Sequence, residues 1–523
     1  MTTEQGELIS LPPQARGGRR ASRKARNGQT TSARLSAVIK SARDLMRTDE
    51  GLNSDLERLP QLSWLLFLRA FDALEAEREI TEVNYRPAIE APYRWRDWAA
   101  DPDFTGDDLL TFVNSHLPDD RDKPGLLPYL RSLSSDKADD PRNVLSAVFQ
   151  EIYNRMLSGF LLRDLVTKID EIDFTSADDI HTMAYLYESL LKEVRDAAGD
   201  SGEFYTPRPV IRFMVEQSFL ELGESILDPA CGTGGFLLEA YEELEKKVRT
   251  VVQRRQLHKN LRGIEKKPQP YLMCMMNLVL HGIESPNVIR TNALVRMSDE
   301  NNPASRVNVV LTNPPFGGEE ENSVSQRFAE GYRTKETAWL FLQAVIDKLK
   351  PGGRCAIVLP NGILFGDGVG IRIKEKLLRE CNLHTVVRLP QGVFAPYTLI
   401  PANLLFFEKS GPTKDVWFYE ILPPEGRKGY TKTKPMRYEE FADCAAWWGG
   451  KDRVSRIENG RAWRTSVADL TANGYNLDLT NPTAADDLAH RPPQELLADL
   501  VATEREVLDL LTELEKKLEA GRD

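Results

Sequence analysis

The 523-residue chain has no apolar run near the ~20 residues that a membrane-spanning helix needs, and its first residues carry no apolar signal core. A cytoplasmic protein without a membrane segment is expected. Cysteine is sparse: Cys231, Cys274, Cys355, Cys381 and Cys444 form no C-x-x-C pair. That argues for reduced thiols and against a disulfide framework or a structural zinc site. The six histidines are equally scattered, so no metal site is expected. Positive charge is also in short supply, with 68 Lys and Arg against 79 Asp and Glu and a net charge of −11. Such a chain should grip nucleic acid poorly by itself, unless a local cleft or a partner subunit supplies the positive field.

What is present begins with length, enough for roughly two to four domains and at least one large core. Residues 1–34 hold a basic cluster, Arg16, Arg19, Arg20, Arg23, Lys24, Arg26 and Arg34, without apolar periodicity. They read as a disordered arm that serves either solubility or nucleic-acid contact. Residues 35–170 read as a helical domain. Leu35, Val38, Ile39, Ala42, Leu45 and Met46 recur at helical spacing, and Leu59–Phe71 is apolar enough to be largely buried. Tyr93, Trp95 and Trp98 should cap that core rather than stack on bases. A further helix is expected over residues 175–198. After it, Thr206 reads as the N-cap of a helix that Pro207 opens.

Residues 171–480 carry the chemistry. The stretch Ile226-Leu-Asp-Pro-Ala-Cys-Gly-Thr-Gly-Gly-Phe-Leu-Leu238 reads as a strand, a glycine turn and a helix start, a common nucleotide-cofactor corner. It is neither G-x-G-x-x-G nor a phosphate-cradling loop ending in Lys-Ser/Thr. Strands are expected at Leu261–Glu265, Val288–Thr291, Val307–Thr312, Arg354–Leu359, Leu383–Leu389 and Ala402–Glu408, with helices between them such as Tyr271–His281 and Thr337–Leu349. The alternation predicts an α/β fold with a doubly wound, mostly parallel sheet. The last two strands have too short a connection for a crossover and should pair antiparallel at the sheet edge. Residues 409–480 offer no legible chemistry. Over residues 481–523, Leu497, Leu500, Glu504, Val507, Leu511, Leu514 and Leu518 form a heptad seam. That seam packs either on a partner helix, the favoured reading, or back on its own chain.

Several features fall at strand ends. Glu265 ends the second strand, where a carboxylate can take both hydroxyls of a ribose. Asn292 follows the third and Asn313-Pro-Pro-Phe316 the fourth. Pro314 and Pro315 stiffen the backbone after the strand. The Asn313 side-chain oxygen and the Pro314 carbonyl make two acceptors suited to an NH2 group, and Phe316 offers a flat face for a planar ring. A conjugated amine is a weak nucleophile because its lone pair is delocalised. Two acceptors holding its hydrogens favour the pyramidal, reactive geometry and stabilise the charge that develops.

With these motifs in register, the chain resembles the γ-class amino-methyltransferases that use S-adenosylmethionine. It is closer still to the modification (M) subunits of type I restriction–modification systems. The catalytic likeness runs from Gly202 to about Glu408; Leu59–Phe71, Tyr93-Arg-Trp-Arg-Asp-Trp98 and Gly474-Tyr-Asn-Leu-Asp-Leu-Thr-Asn-Pro482 resemble the regions flanking it. The resemblance implies a seven-stranded methyltransferase sheet preceded by an all-helical domain and followed by a helical tail for subunit assembly. Glu203, Phe204, Tyr205, Thr206, Pro207 and Arg208 would line the methionine side of the cofactor. Asp228, Gly232, Thr233, Gly234 and Gly235 would hold its amino-acid part, Glu265 its ribose, and Asn292 would lie near its adenine. Asn313, Pro314, Pro315 and Phe316 would receive the target base. At Asn292 the chain departs from the aspartate usual in the broader pattern. The activity implied is site-specific methylation of adenine N6 in double-stranded DNA, on a base turned out of the helix. The implied partners are a sequence-reading specificity (S) subunit, shared by two M subunits, and a restriction (R) subunit. Other readings are a protein-glutamine or RNA-guanine methyltransferase, or a non-catalytic scaffolding subunit.

Overall fold

The computed structural model describes residues 30–137, 140–176, 179, 182–184, 186–191, 206–283, 285–299, 302–395, 398–482, 504, 505 and 508. Most of the expected heptad tail, including Leu497, Leu500, Val507, Leu511, Leu514 and Leu518, therefore lies outside the described residues, as does the basic arm before residue 30.

The first helix, Thr31–Arg47, begins inside the stretch expected to be an arm. The Thr30 hydroxyl caps it by accepting from the Ala33 N–H at 3.3 Å. Its buried stripe is Leu35, Val38, Ile39, Ala42 and Met46. The helix Asp55–Thr81 carries the apolar Leu59–Phe71 segment, buried there on nearly every side. Helices Gly106–Asn114, Leu126–Ser132, Pro141–Phe149 and Gly159–Asp170 complete this region. It is not wholly helical: β1 (His116–Leu117) and β2 (Asp120–Pro124) form a small antiparallel hairpin. Tyr93, Trp95 and Trp98 are buried and pack on one another and on their neighbours. Tyr93 stacks on Tyr129 at 3.9 Å, and Trp95 meets Trp98 at 5.0 Å. They are core, as expected, rather than a surface for stacking bases.

The second region is one mixed sheet of nine strands. They are β3 (Ile226–Asp228), β4 (Leu261–Glu265), β5 (Asn287–Arg290), β6 (Val307–Thr312), β7 (Leu349–Pro360), β8 (Asn382–Arg388), β9 (Ala402–Glu408), β10 (Asp415–Glu420) and β11 (Ala462–Ser466). Across the sheet they run β11-β10-β8-β9-β7-β6-β3-β4-β5. The expected seven strands are present, and β10 and β11 extend the sheet beyond them from the stretch in which no element was legible. β9 does pair antiparallel, but it lies between β7 and β8 rather than at the edge. Its run Leu404, Leu405, Phe406 and Phe407 is buried on both faces, the mark of a central strand.

Alternate residues of each strand feed two separate cores. Val309, Leu311, Ala356, Val358, Leu404 and Phe406 join the core that continues into the N-terminal helices. Val307, Val310, Cys355, Ile357, Leu405 and Phe407 join the core on the opposite face. The helix Pro268–Leu280 lies between sheet and N-terminal helices, which explains why every residue from Pro270 to Leu280 is buried. The segment Gly474–Pro482 straps the carboxyl end of the sheet. Leu477 N–H donates to the Leu364 carbonyl at 2.9 Å, and Asp478 accepts from Arg388 at 2.7 Å and from Asn361 at 3.1 Å.

Candidate active site

The site lies at the carboxyl ends of β3, β4, β5 and β6, where the order of strands leaves a crevice between helices. β3 ends at Asp228 and the chain turns through Gly232–Gly235 into the helix Gly235–Glu245. Gly234 has φ +84°, a left-handed conformation, and a Cβ there would stand 2.8 Å from Cys274 Sγ. Only glycine fits both demands. The corner is then tied from outside. Asn277 Nδ2, on the buried helix, donates to the Thr233 carbonyl at 3.0 Å, and the Gly232 N–H donates to Glu265 Oε2 at 2.9 Å. Cys231 is buried with its Sγ 3.9 Å from that of Cys274, and its thiol is pushed well up by the neighbouring Cys274 and by burial. It packs; it is no nucleophile.

Two carboxylates line this corner. Asp228 Oδ1 accepts from the Ala230 N–H at 3.1 Å and from Thr312 Oγ1 at 2.8 Å. Burial raises its carboxyl to about 7, against those two hydrogen bonds, and the charge of Glu265 pushes the same way. Glu265 Oε1 accepts from the Lys267 N–H at 2.8 Å, and burial raises this carboxyl too. The bonds both accept come from backbone N–H groups and one hydroxyl. Buried acids held in this way gain from a cationic guest, and a sulfonium carrying an ammonium suits them. The donor set thus fits the cofactor that the sequence implies.

Thr312 connects this corner to the second half of the site, because its next residue is Asn313. Asn313 Nδ2 donates to Thr206 Oγ1 at 3.0 Å. Its Oδ1 is buried and has no hydrogen-bond partner among the described residues. An orphaned buried acceptor is costly and calls for a ligand that brings a donor. Pro314 is buried, Pro315 and Phe316 are half-buried, and the Phe316 ring meets that of Phe394 edge to face at 5.3 Å. Asn292 lies after β5: its Oδ1 accepts from the Leu294 N–H at 3.0 Å and its Nδ2 donates to Glu320 Oε2 at 3.1 Å.

The structure therefore brings together Thr206, Asp228, Gly232, Thr233, Gly234, Gly235, Glu265 and Asn313–Phe316, with Asn292 at the neighbouring strand end. Thr206 does not cap the helix as expected. Pro207 holds the N-cap position of the helix Arg208–Glu216, whose prolines need no N–H partner, and the freed Thr206 hydroxyl turns to Asn313. Arg208 reaches the Gly235 carbonyl at 3.4 Å and pairs with Glu188. Glu203, Phe204 and Tyr205 lie outside the described residues. Sequence reasoning missed Thr312, Asn277, Glu320 and Phe394. Thr312 and Asn277 stood inside elements already expected, the strand Val307–Thr312 and the helix Tyr271–His281, whereas Phe394 and Glu320 lie in loops and carried no signal of their own.

Fold and site together define the class: an α/β domain with a glycine corner and two buried acids at one pair of strand ends, and an Asn-Pro-Pro-Phe motif with an unpartnered buried amide oxygen at the next. A family model for N-6 DNA methylases matches residues 178–491. The methylase subunit of type I restriction enzyme EcoEI from Escherichia coli is 46% identical over 93% of this chain and 98% of its own length. A modification subunit of a putative type I restriction enzyme from Vibrio vulnificus YJ016 has a similar structure, with a TM-score of 0.78 and 50% identity over 89% of this chain and 100% of that one. A protein solved in a study of complex assembly and conformational transition in the type I R-M system superposes with a TM-score of 0.77 at 39% identity, over 94% of this chain and 99% of that one. The chain belongs to the N-6 DNA methylase family, among the methylase subunits of type I restriction enzymes.

Proposed function

We propose that this chain is the modification subunit of a type I restriction–modification complex and methylates adenine N6 at specific sites in double-stranded DNA, with S-adenosylmethionine as donor. The observation that carries the reading is the Asn313 side-chain oxygen, buried and without a partner, at the end of a strand whose preceding residue is bonded to the cofactor corner. When bound, the cofactor supplies a methyl group on a sulfonium. Asn313 Oδ1 and the Pro314 carbonyl accept the two hydrogens of the target amine, and Thr206 fixes which end of the Asn313 amide faces it. Phe316, braced by Phe394, gives the planar base a face to lie on. Asp228 and Glu265 take the cationic and hydroxyl-bearing parts of the donor. The amine loses its proton after transfer, so no base of matched pKa is needed beforehand. The base must leave the duplex stack to reach these groups.

The net charge of −11 suits a subunit that delegates DNA recognition to a partner. The partners in this reading are a specificity subunit shared by two copies of this chain, and a restriction subunit. Its division is an arm before the first helix at Thr31, a largely helical domain up to residue 170, a catalytic domain (171–480) and an assembly tail (481–523), at work in the cytoplasm. Among the described residues no helix is long and apolar enough to cross a membrane. Membership of a DNA methylase family disfavours a protein-glutamine or RNA-guanine substrate, and an amine acceptor kept buried and open disfavours a silent scaffold. Base-resolution sequencing of N6-methyladenine in host DNA, with and without the gene, tests the reading. A defined motif should lose its mark in the deletion and stay unmarked when the gene is restored as N313A. An unchanged methylome sinks it.

A further inference from the structure

The departure at Asn292 leaves a chemical question at the adenine end of the site, and the loop beyond Phe316 answers it. This loop is fixed at its base: the Glu320 N–H donates to the Lys335 carbonyl at 2.8 Å, the Thr337 N–H to the Gly318 carbonyl at 3.3 Å, and Glu319 bridges Glu336. Glu319 and Glu321 are exposed, but the Glu320 side chain is only 10% exposed. It turns inward to the ends of β4 and β5. There its carboxylate accepts from Asn292 Nδ2 at 3.1 Å and lies 3.3 Å from Lys266 Nζ. Asn292 Oδ1 meanwhile accepts from the Leu294 N–H at 3.0 Å. The amide thus turns its oxygen to its own helix start and its nitrogen towards the crevice. The residue at this position supplies a donor, where an aspartate would supply an acceptor. A carboxylate has room for about four hydrogen bonds, so Glu320 keeps acceptor capacity beyond these contacts.

Adenine presents a donor, its 6-amino group, beside an acceptor, a ring nitrogen. Hypoxanthine presents the reverse, a 6-oxo acceptor beside a ring N–H. Resting on the cofactor reading above, we infer that Glu320 is the carboxylate that accepts the 6-amino group of the cofactor's adenine, and that with Asn292 as donor it makes the site selective for adenine over a 6-oxopurine. A loop that follows the target-binding motif thereby replaces an acidic group missing from the strand end.

The test is calorimetric binding of S-adenosylhomocysteine and S-inosylhomocysteine to the full chain, with no turnover required. The unsubstituted protein should prefer the adenosyl ligand by about a hundredfold, because a carboxylate facing a 6-oxo group leaves both acceptors unpaired. E320A should weaken the adenosyl ligand by about tenfold or more and leave the inosyl ligand unchanged or better bound. E320Q is the sharper variant, because a primary amide can turn either end to the purine. It should keep adenosyl binding within a few-fold and cut the preference about tenfold, the remainder being the share that Asn292 holds as a fixed donor. A preference undiminished by both substitutions overturns the inference, as does an equal weakening of both ligands, which would mean that Glu320 only props the loop. Failure of the unsubstituted chain to bind S-adenosylhomocysteine would overturn the cofactor reading itself and this inference with it. Tight binding with unaltered selectivity in the variants overturns the inference alone.

Discussion

At the ends of β3 and β4, both carboxylates and the glycine backbone are already bonded: Asp228 to Thr312 and Ala230, Glu265 to Gly232 and Lys267, and Thr233 to Asn277. At the end of β6, Asn313 spends its nitrogen on Thr206 and keeps its oxygen buried with no partner among the described residues. One end of the site is a finished floor. The other keeps an acceptor unsatisfied, at a cost on the order of 1–3 kcal/mol for the desolvated oxygen. Local strain of this kind is expected where a ligand completes the structure. Substitutions at the two ends should therefore fail differently, the floor through folding and cofactor affinity, the open end through chemistry alone.

The largest effect belongs to the open end. Asn313→Ala should lower the rate of methyl transfer by roughly a hundred- to a thousandfold, the range for deleting one preorganised polar contact to a developing charge. Affinity for S-adenosylhomocysteine should stay within a few-fold and the melting temperature should change little, since removing an unpaired buried oxygen offsets the lost bond from the amide nitrogen to Thr206. A parallel loss of cofactor affinity would break the comparison. On the floor, Gly234→Ala should destabilise the chain by about 3 kcal/mol, from the positive φ together with overpacking against Cys274. Equilibrium unfolding checks this. Pairing it with Cys274→Ala in a double-mutant cycle should recover part of the loss, because that sulfur is what the new Cβ meets.

The floor should also titrate, and the sign follows from burial. Asp228 stays protonated in the folded chain up to about 7, whereas in the unfolded chain it ionises near ~4. Its contribution to stability is complete below the unfolded value and is lost as pH rises through about 7. Glu265, raised in the same direction, adds to the trend. Relative to Asp228→Asn, the unsubstituted protein should lose on the order of a few degrees of melting temperature between pH 5 and 8. Parallel profiles for the two proteins would refute this account of the buried acid.

What the sequence disclosed follows the distance between partners. The glycine corner, Glu265 and Asn313–Phe316 were legible because each follows a strand within a few residues, so strand, turn and side chain share one window. The run Leu404–Phe407 held the sign of a central strand, although the short connection before it drew attention to the edge. Long-range pairs were not legible. Thr206 meets Asn313 across 107 positions, and nothing near Thr206 distinguishes a side chain that binds a distant amide from one that caps a helix. Glu320 meets Asn292 across 28 positions, from a loop that reads as merely acidic. Strands β10 and β11 pair through Asp415–Ser466 and neighbours, with a long irregular segment between them that hides the register.

The smallest predicted effect tests whether Phe394 belongs to the open end at all. Its ring meets Phe316 at 5.3 Å and 72°, an edge-to-face contact worth about 1 kcal/mol beyond the area it buries. Phe394 is also buried among apolar residues, so truncation to alanine would mix a packing loss with the aromatic one. Phe394→Leu separates them, because leucine fills much of the space but has no aromatic ring to meet that of Phe316. If Phe394 holds Phe316 in place for the target base, Phe394→Leu should reduce kcat/KM for DNA by about fivefold to tenfold while costing only about 1 kcal/mol of stability and leaving S-adenosylhomocysteine affinity nearly unchanged. In the Phe316→Leu background the same substitution should cost almost nothing, since the contact is already gone. Equal losses in both backgrounds would assign Phe394 to the core alone, and the open end would then rest on Asn313 and the Pro314 carbonyl without an aromatic brace.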